Sequence, residues 1–142
     1  MILEQLTVSL SNEPGELSKI SDILGDEGIN IKAITAAVQG GSACIHLVAD
    51  DPSKASEILI AHGYQVDKRE VVAVETPDHP GGLNAILRPL KSRDINVEFL
   101  YPAIGKLRKD AVLVVGAYPL EEAVTALREN YITILEKELF AL

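Results

Sequence analysis

The sequence predicts an α+β chain of two tandem βαββαβ modules, each an antiparallel sheet with helices packed on one face. Three observations predict it. The first is an internal repeat. Asn12–Leu17 reads NEPGEL and runs on to Gly28–Ile31 (GINI), while Asp78–Leu83 reads DHPGGL and runs on to Asp94–Val97 (DINV). Residues 14–31 lie on 80–97 without a gap, and seven of those eighteen positions are identical (Pro, Gly, Leu, Ile, Leu, Ile and Asn). The second is a strand before each Pro-Gly, shown at Gln5–Leu10 by the period-two alternation of a half-buried strand, followed by apolar residues at helical spacing. The third is size. The repeat divides the 142 residues into modules at 1–70 and 71–142, and a unit of about 70 residues buries only about 60% of its unfolded surface. Each half therefore needs a packing partner, either the other half or a second chain.

The elements follow in order. Leu6, Val8 and Leu10 alternate with Gln5, Thr7 and Ser9 as a strand. Asn12 to Pro14 supplies capping and first-turn chemistry. Leu17, Ile20 and Leu24 recur at helical spacing up to Gly28, which can stop the helix. Ile29–Ala37 and Ala43–Ala49 read as strands joined at Gly40, Gly41 and Ser42. Asp50, Asp51 and Pro52 open a second helix ending near Gly63, and Tyr64–Lys68 forms a short last strand. The second half repeats this: a strand at Val71–Glu75, a helix over 80–93, strands over 95–103 and 111–117, a helix from Pro119 to Asn130 and a strand at Ile132–Leu135. After the hairpin the offset between the copies is read as 67, which places Pro119 on Pro52 and Tyr131 on Tyr64. The order βαββαβ is the split βαβ arrangement of ferredoxin-like folds. Pro89 falls inside the third helix, where it removes a hydrogen bond, so a kink or a shortened helix is expected there.

If Val8 and Val74 face the helices, the opposite sheet face carries Gln5, Thr7, Cys44 and His46 in the first half. Aligned with them are Val71, Ala73, Ala111 and Leu113. Polar has become apolar at every position. A strand apolar on both sides is usually buried on both, so the second half is expected to hide this face in a subunit interface, as in a homodimer.

Composition narrows function. A net charge of −8 argues against nucleic acid, whose phosphates demand clustered Lys and Arg. Lys106, Arg108 and Lys109 form the one basic cluster, expected at a hairpin tip. The single Cys44 excludes an intrachain disulfide framework. Nothing resembles a signal peptide or a membrane span, which makes a cytoplasmic protein the expectation. His46, His62 and His79 are scattered without metal-ligand spacing. Acid pairs such as Asp50–Asp51 and Glu121–Glu122 stand at helix starts, where the dipole accounts for them. No catalytic constellation, cofactor motif or phosphate loop is present, so no catalytic residue, metal or cofactor is assigned.

The recurrence of N/D-x-P-G-x-L with I-N-I/V about ten residues on, inside βαββαβ, resembles the ACT domain family, and in particular stand-alone proteins of two ACT domains. That resemblance covers nearly the whole chain. It implies a non-enzymatic sensor of an amino acid or related small carboxylate, held between paired domains against the loop joining first strand to first helix. It also implies an allosteric link to a partner enzyme or regulator. The residues fit such a site. Gly15 lets a ligand approach the backbone, and N–H groups near Gly15, Glu16 and Leu17 sit at a positive helix end. Asn12 can donate or accept, and Asn30 resembles the family asparagine that contacts ligand from the facing domain. The second loop supplies Asp78, Gly81, Gly82, Leu83 and Asn96. Asp78 in place of Asn12 should repel a carboxylate and attract an ammonium, so the two loops are not expected to be equivalent. The same residues also admit a plain role, Asn12 and Asp78 as helix caps and each Pro-Gly as a turn. A ligand-free interaction or oligomerisation module is the competing reading for the chain. An RNA-binding fold of the same element order is disfavoured, because Thr7, His46, Ala73 and Leu113 stand where it would carry aromatics.

Overall fold

The computed structural model describes residues 3–104 and 110–135, so the basic cluster Lys106, Arg108 and Lys109 lies outside the described residues. The chain divides into two compact units. The first comprises Glu4–Arg69; the second begins at Glu70 and includes Leu3.

The first unit contains β1 (Leu3–Ser11, entering from the boundary), α1 (Glu16–Asp26), β2 (Ile31–Gln39), β3 (Ser42–Ala49) and α2 (Pro52–Ala61). Strands pair antiparallel in the order β2-β3-β1. Leu6, Val8, Ile45 and Leu47 alternate onto one face and meet Ile20 and Leu24 of α1 and Ala55 and Leu59 of α2. Full burial of such aliphatic side chains contributes about 1.5–3 kcal/mol each. Asp51 caps α2 by accepting the Lys54 N–H at 3.1 Å, with Pro52 in the first turn.

β4 (Gln65–Thr76) leads from the first unit into the second. Two strands, Tyr64–Lys68 and Val71–Glu75, are expected here; the backbone stays extended through Asp67–Glu70, so one strand of 12 residues forms. The second unit continues with α3 (Asn84–Ser92), β5 (Asn96–Pro102), β6 (Ala111–Tyr118) and α4 (Leu120–Glu129). Its strands pair antiparallel in the order β4-β6-β5. The strand expected at Ile132–Leu135 is reduced to a single bridge, Val74 to Ile134, flanked by Glu75 N–H to Thr133 O (3.0 Å) and Leu135 N–H to Ala73 O (2.8 Å). Val72, Val74, Leu113 and Val115 meet Ile86, Leu90, Ala123 and Leu127 in the second core.

The offset between copies needs correcting. Val8 pairs with Ile45 and Val74 with Leu113, so β6 lies on β3 at an offset of 68 (113 − 45). Ile31 pairs with Ala49 and Val97 with Ala117, which again gives 68 for the second strand and 66 for the first (97 − 31). The hairpin thus carries two extra residues, not one. Pro119 is the counterpart of Asp51, each preceding the first residue of its helix.

One consequence concerns the outer sheet face. Leu113 and Ala111 lie in the row of Val74 and Thr76, on the helix side; the outward row is Val112, Val114 and Gly116. The conclusion that polar becomes apolar survives with different residues. Val71, Ala73 and Val114 are fully buried in the single chain, so the face is hidden without any second copy. Gly116 pairs with Phe99, whose ring covers it and packs against Tyr101 at 6.2 Å between centroids. In the first unit the outer face keeps its polar set. Thr7 Oγ1 and Gln5 Nε2 lie 3.0 and 3.2 Å from His46 Nδ1.

α3 is shorter than α1, as expected for a helix containing Pro89, but the missing residues are at its start and Pro89 lies within it. Among the described residues no helix is long and apolar enough to cross a membrane.

Candidate functional site

Each Pro-Gly turn leads into the first helix of its unit, and the two do so differently. In the first loop Gly15 adopts φ +87°, the left-handed region where a Cβ is strained, and stands at the cap position of α1 with nothing within 4 Å of where a Cβ would lie. The loop is tied to the β2–β3 turn through Asn12 N–H to Gly41 O at 3.3 Å. Glu16 N–H is occupied by Glu13 O at 3.3 Å, and Lys19 N–H closes the first helical turn on Gly15 O at 2.9 Å. Between them the N–H groups of Leu17 and Ser18 have no acceptor among the described residues. Unpaired N–H groups at a helix start carry the positive end of the helix dipole and can receive a carboxylate. Glu16 in the same turn is already negative and tempers that attraction. Leu17 is 45% exposed, unusual for a leucine at helical core spacing.

The second loop closes on itself. Gly82 N–H reaches His79 O at 2.9 Å, Asn84 N–H reaches Gly81 O at 3.1 Å, Ala85 N–H reaches Gly82 O at 3.0 Å and Ile86 N–H reaches Leu83 O at 3.1 Å. These are i to i−3 bonds, a 3₁₀ lead-in that satisfies the N–H of Asn84, whose counterpart Ser18 is left open in the first loop. Thr76 Oγ1, buried, donates to Gly82 O at 3.0 Å. A Cβ on Gly82 would stand 2.0 Å from Pro77 O. Glycine is required there by packing against backbone, and Gly82 offers no approach to a ligand. Gly81 differs, with φ +79° and nothing within 4 Å of where a Cβ would lie.

Neither asparagine nor aspartate caps its helix. α1 begins after Gly15 and α3 after Leu83, and neither receives a side-chain cap. The simple capping role expected for Asn12 and Asp78 is therefore not realised; both side chains are exposed.

The second asparagine of each copy lies away from its loop. α1 has 11 residues, so Asn30 and Gly15 are separated by about 16 Å of helix at 1.5 Å per residue. Asn30 is held by Asp50: its N–H donates to Asp50 Oδ1 at 3.1 Å and its carbonyl accepts from Asp50 N–H at 3.0 Å. Asn96 pairs instead with Tyr118, which is 70% exposed. Within its own unit each asparagine is thus apart from its Pro-Gly turn.

The second unit has two clefts on α3. One, of about 570 Å³, lies between α3 and the start of β5 and is lined by Leu87, Lys91, Asp94, Asn96 and Val97 among others. The other, of about 440 Å³, runs from Gly81 past Ala85 and Pro89 to Asn130 and Ile132. Asn84 and Arg88 line both. The sequence reading assigns no role to Asn84, Arg88 or Lys91, and takes Asp94 only as part of the repeated Asp94–Val97 segment. One signal was available: Arg88 stands where the first copy has Asp22, and Asp94 where it has Gly28.

The search of curated proteins returns no match to this chain. Among solved structures, a protein of Bacteroides thetaiotaomicron is 25% identical with a TM-score of 0.91, covering 100% of this chain and 98% of its own. The regulatory subunit of aspartate kinase from Thermus thermophilus is 20% identical with a TM-score of 0.67, covering 90% of each chain. The corresponding subunit from Thermus flavus is 18% identical with a TM-score of 0.59, covering 92% of this chain and 95% of its own. These two share the fold. Residues 1–142 match the family described as the ACT domain pair, and the chain belongs to that family of regulatory domains.

Proposed function

We propose that this chain is a non-enzymatic regulatory protein that binds an amino acid or a related small carboxylate and passes the signal to a partner protein. The observation that carries the reading is the pair of unbonded N–H groups at Leu17 and Ser18, behind the open left-handed Gly15 at the start of α1. Membership of the ACT domain pair family supports it. So does the fold likeness to proteins described as regulatory subunits of aspartate kinase. The mechanism is a population shift. A ligand that binds one arrangement better stabilises it by its differential affinity and changes what a partner meets.

A thermal-shift screen of the amino acids, their 2-oxo acids and aryl carboxylates tests this. Ligand at a hundred times its Kd stabilises the native state by about 2.7 kcal/mol, which raises the thermal midpoint of the binder measurably. Gly15→Val, which sets a β-branched residue at φ +87°, should abolish any rise that depends on the first loop. A midpoint unmoved by every compound would sink the reading and favour the second, a ligand-free accessory subunit. The exposure of Leu17 (45%) and Leu83 (39%) beside the two loops favours that alternative, because apolar side chains there suit a protein partner.

A further inference from the structure

We propose that the 570 Å³ cleft between α3 and the start of β5 is a second small-molecule site, built for the zwitterion of an apolar α-amino acid. The proposal rests on the functional reading above but places binding at a different surface from the Pro-Gly loops.

Three observations support it. First, Asn84, Leu87, Arg88 and Lys91 are spaced i, i+3, i+4 and i+7 on α3, so they form one stripe, and that stripe is a wall of the cleft. Second, Arg88 and Lys91 form no ion pair among the described residues, although the protein carries a net charge of −8. Acidic partners are plentiful, and the nearby Arg93 is indeed paired with Glu129. Uncommitted cations on a cleft wall suit a carboxylate, and Arg does so with two parallel N–H donors. Third, Asp94 occupies a left-handed conformation, φ +56°, where the first unit uses Gly28 at φ +73°. A side chain there costs conformational energy that glycine avoids, and Asp94 is one of the residues lining the cleft.

Together these groups discriminate. Arg88 and Lys91 attract a carboxylate; Asp94 repels a bare anion and attracts an ammonium. A molecule carrying both charges satisfies both ends, while Leu87 and Val97 offer its side chain an apolar wall. The cleft volume lies in the usual range for small-molecule sites.

Isothermal titration of the full chain with L-leucine, 4-methyl-2-oxopentanoate and 3-methylbutylamine tests the assignment. L-leucine should bind, and the two analogues, each lacking one charge, should bind at least about tenfold more weakly. Arg88→Gln should weaken L-leucine by about tenfold or more, and Asp94→Asn should narrow the preference for L-leucine over the oxo acid. Both residues are exposed, so an unchanged unliganded thermal midpoint verifies that the variants fold. Amide shifts of Ile95 and Val97 on adding L-leucine to the unmodified chain give a readout without mutation. Binding that survives both substitutions, shifts confined to Leu17 and Ser18, or a preference for L-aspartate would overturn the proposal. If Gly15→Val alone removes L-leucine binding, the second site falls while the regulatory reading stands. If no amino acid, oxo acid or aryl acid binds anywhere, both fall.

Discussion

The two Pro-Gly loops match in sequence and differ in where their backbone hydrogen bonds go. In the first, donors at Leu17 and Ser18 stay open and Gly15 stands clear of its surroundings. In the second, i to i−3 bonds from Gly82, Asn84, Ala85 and Ile86 tighten the turn, and the Thr76 hydroxyl adds a bond to Gly82 O. The second unit meets its ligand, on our proposal, along the flank of α3 instead. A repeated motif thus fixes the path of the chain without fixing the chemistry. One residue marks the divergence. Glu16 and Gly82 are aligned, yet only glycine fits over Pro77 O.

That difference gives the largest expected effect. Gly82→Ala would place a methyl 2.0 Å from a backbone oxygen, and backbone cannot move aside as a flexible side chain can. We expect a loss of about 3 kcal/mol or more in urea unfolding. Glu16→Gly, the reciprocal exchange, should cost only about 0.5–1 kcal/mol, the penalty for glycine in a helix. Equal losses at the two positions would dissolve the contrast between the loops.

The sheets offer a second contrast. Ala33 pairs with Val48 in the first unit; the corresponding pair in the second is Phe99 with Gly116. The bulk has moved across the strand pair, and the Phe99 ring now lies where a Gly116 Cβ would stand, at 2.1 Å. Gly116→Ala should cost about 1–3 kcal/mol, since a ring can tilt at some strain. Combining it with Phe99→Leu should recover part of that loss, read as a coupling energy in a double-mutant cycle. Strict additivity would mean the ring does not depend on the glycine.

Much of this architecture was legible beforehand, for reasons that also explain the misses. Alternation at Leu6 and Val8, helical spacing at Ile20 and Leu24, and the duplicated Pro-Gly reveal both modules because burial imposes those periods. The hairpin offset was misread because Pro119 and Tyr131 happen to fall on Pro52 and Tyr64 at 67, whereas strand pairing sets 68. Capping by Asn12 and Asp78 failed because Gly15 and the 3₁₀ turn at Gly82 start the helices elsewhere. On the site, the Pro-Gly turns could be found because glycine leaves a visible mark. Asn84, Arg88 and Lys91 could not, because a cleft is a property of neighbours in space, and on a single helix these residues look like ordinary solvated surface.

Helix ends show the same divergence at smaller scale. All four helices finish in one motif, a residue with positive φ followed by an N–H that reaches back to the helix: Ile29 to Leu24, Tyr64 to Leu59, Ile95 to Leu90 and Ile132 to Leu127. The first unit places Gly28 and Gly63 at the positive-φ position; the second places Asp94 and Tyr131. Tyr131 is 94% exposed at φ +60°, so its ring contributes little packing to offset the strain. Tyr131→Gly should stabilise the second unit by about 1 kcal/mol, visible as a raised urea midpoint with unchanged slope. A loss of stability would show that the tyrosine has a partner worth more than the strain.

The smallest effect belongs to the polar outer face of the first unit. His46 is pushed below its ordinary 6.5, chiefly by burial and secondarily by the positive charge of Arg69. Gln5 Nε2 and Thr7 Oγ1 both approach Nδ1, which suits a ring accepting at that nitrogen and carrying no charge. The unfolded chain therefore binds a proton that the folded chain resists. Stability is fully present above about 6.5 and declines as pH falls from there through the lower folded value. His46→Asn should flatten that decline in urea titrations run between pH 7 and 5, and Arg69→Gln should shift its lower end upward. The second unit has Val114 at the equivalent place and nothing there to titrate. If the decline persists undiminished in His46→Asn, the acid sensitivity lies elsewhere, and the contrast between a polar and an apolar sheet face carries no thermodynamic weight.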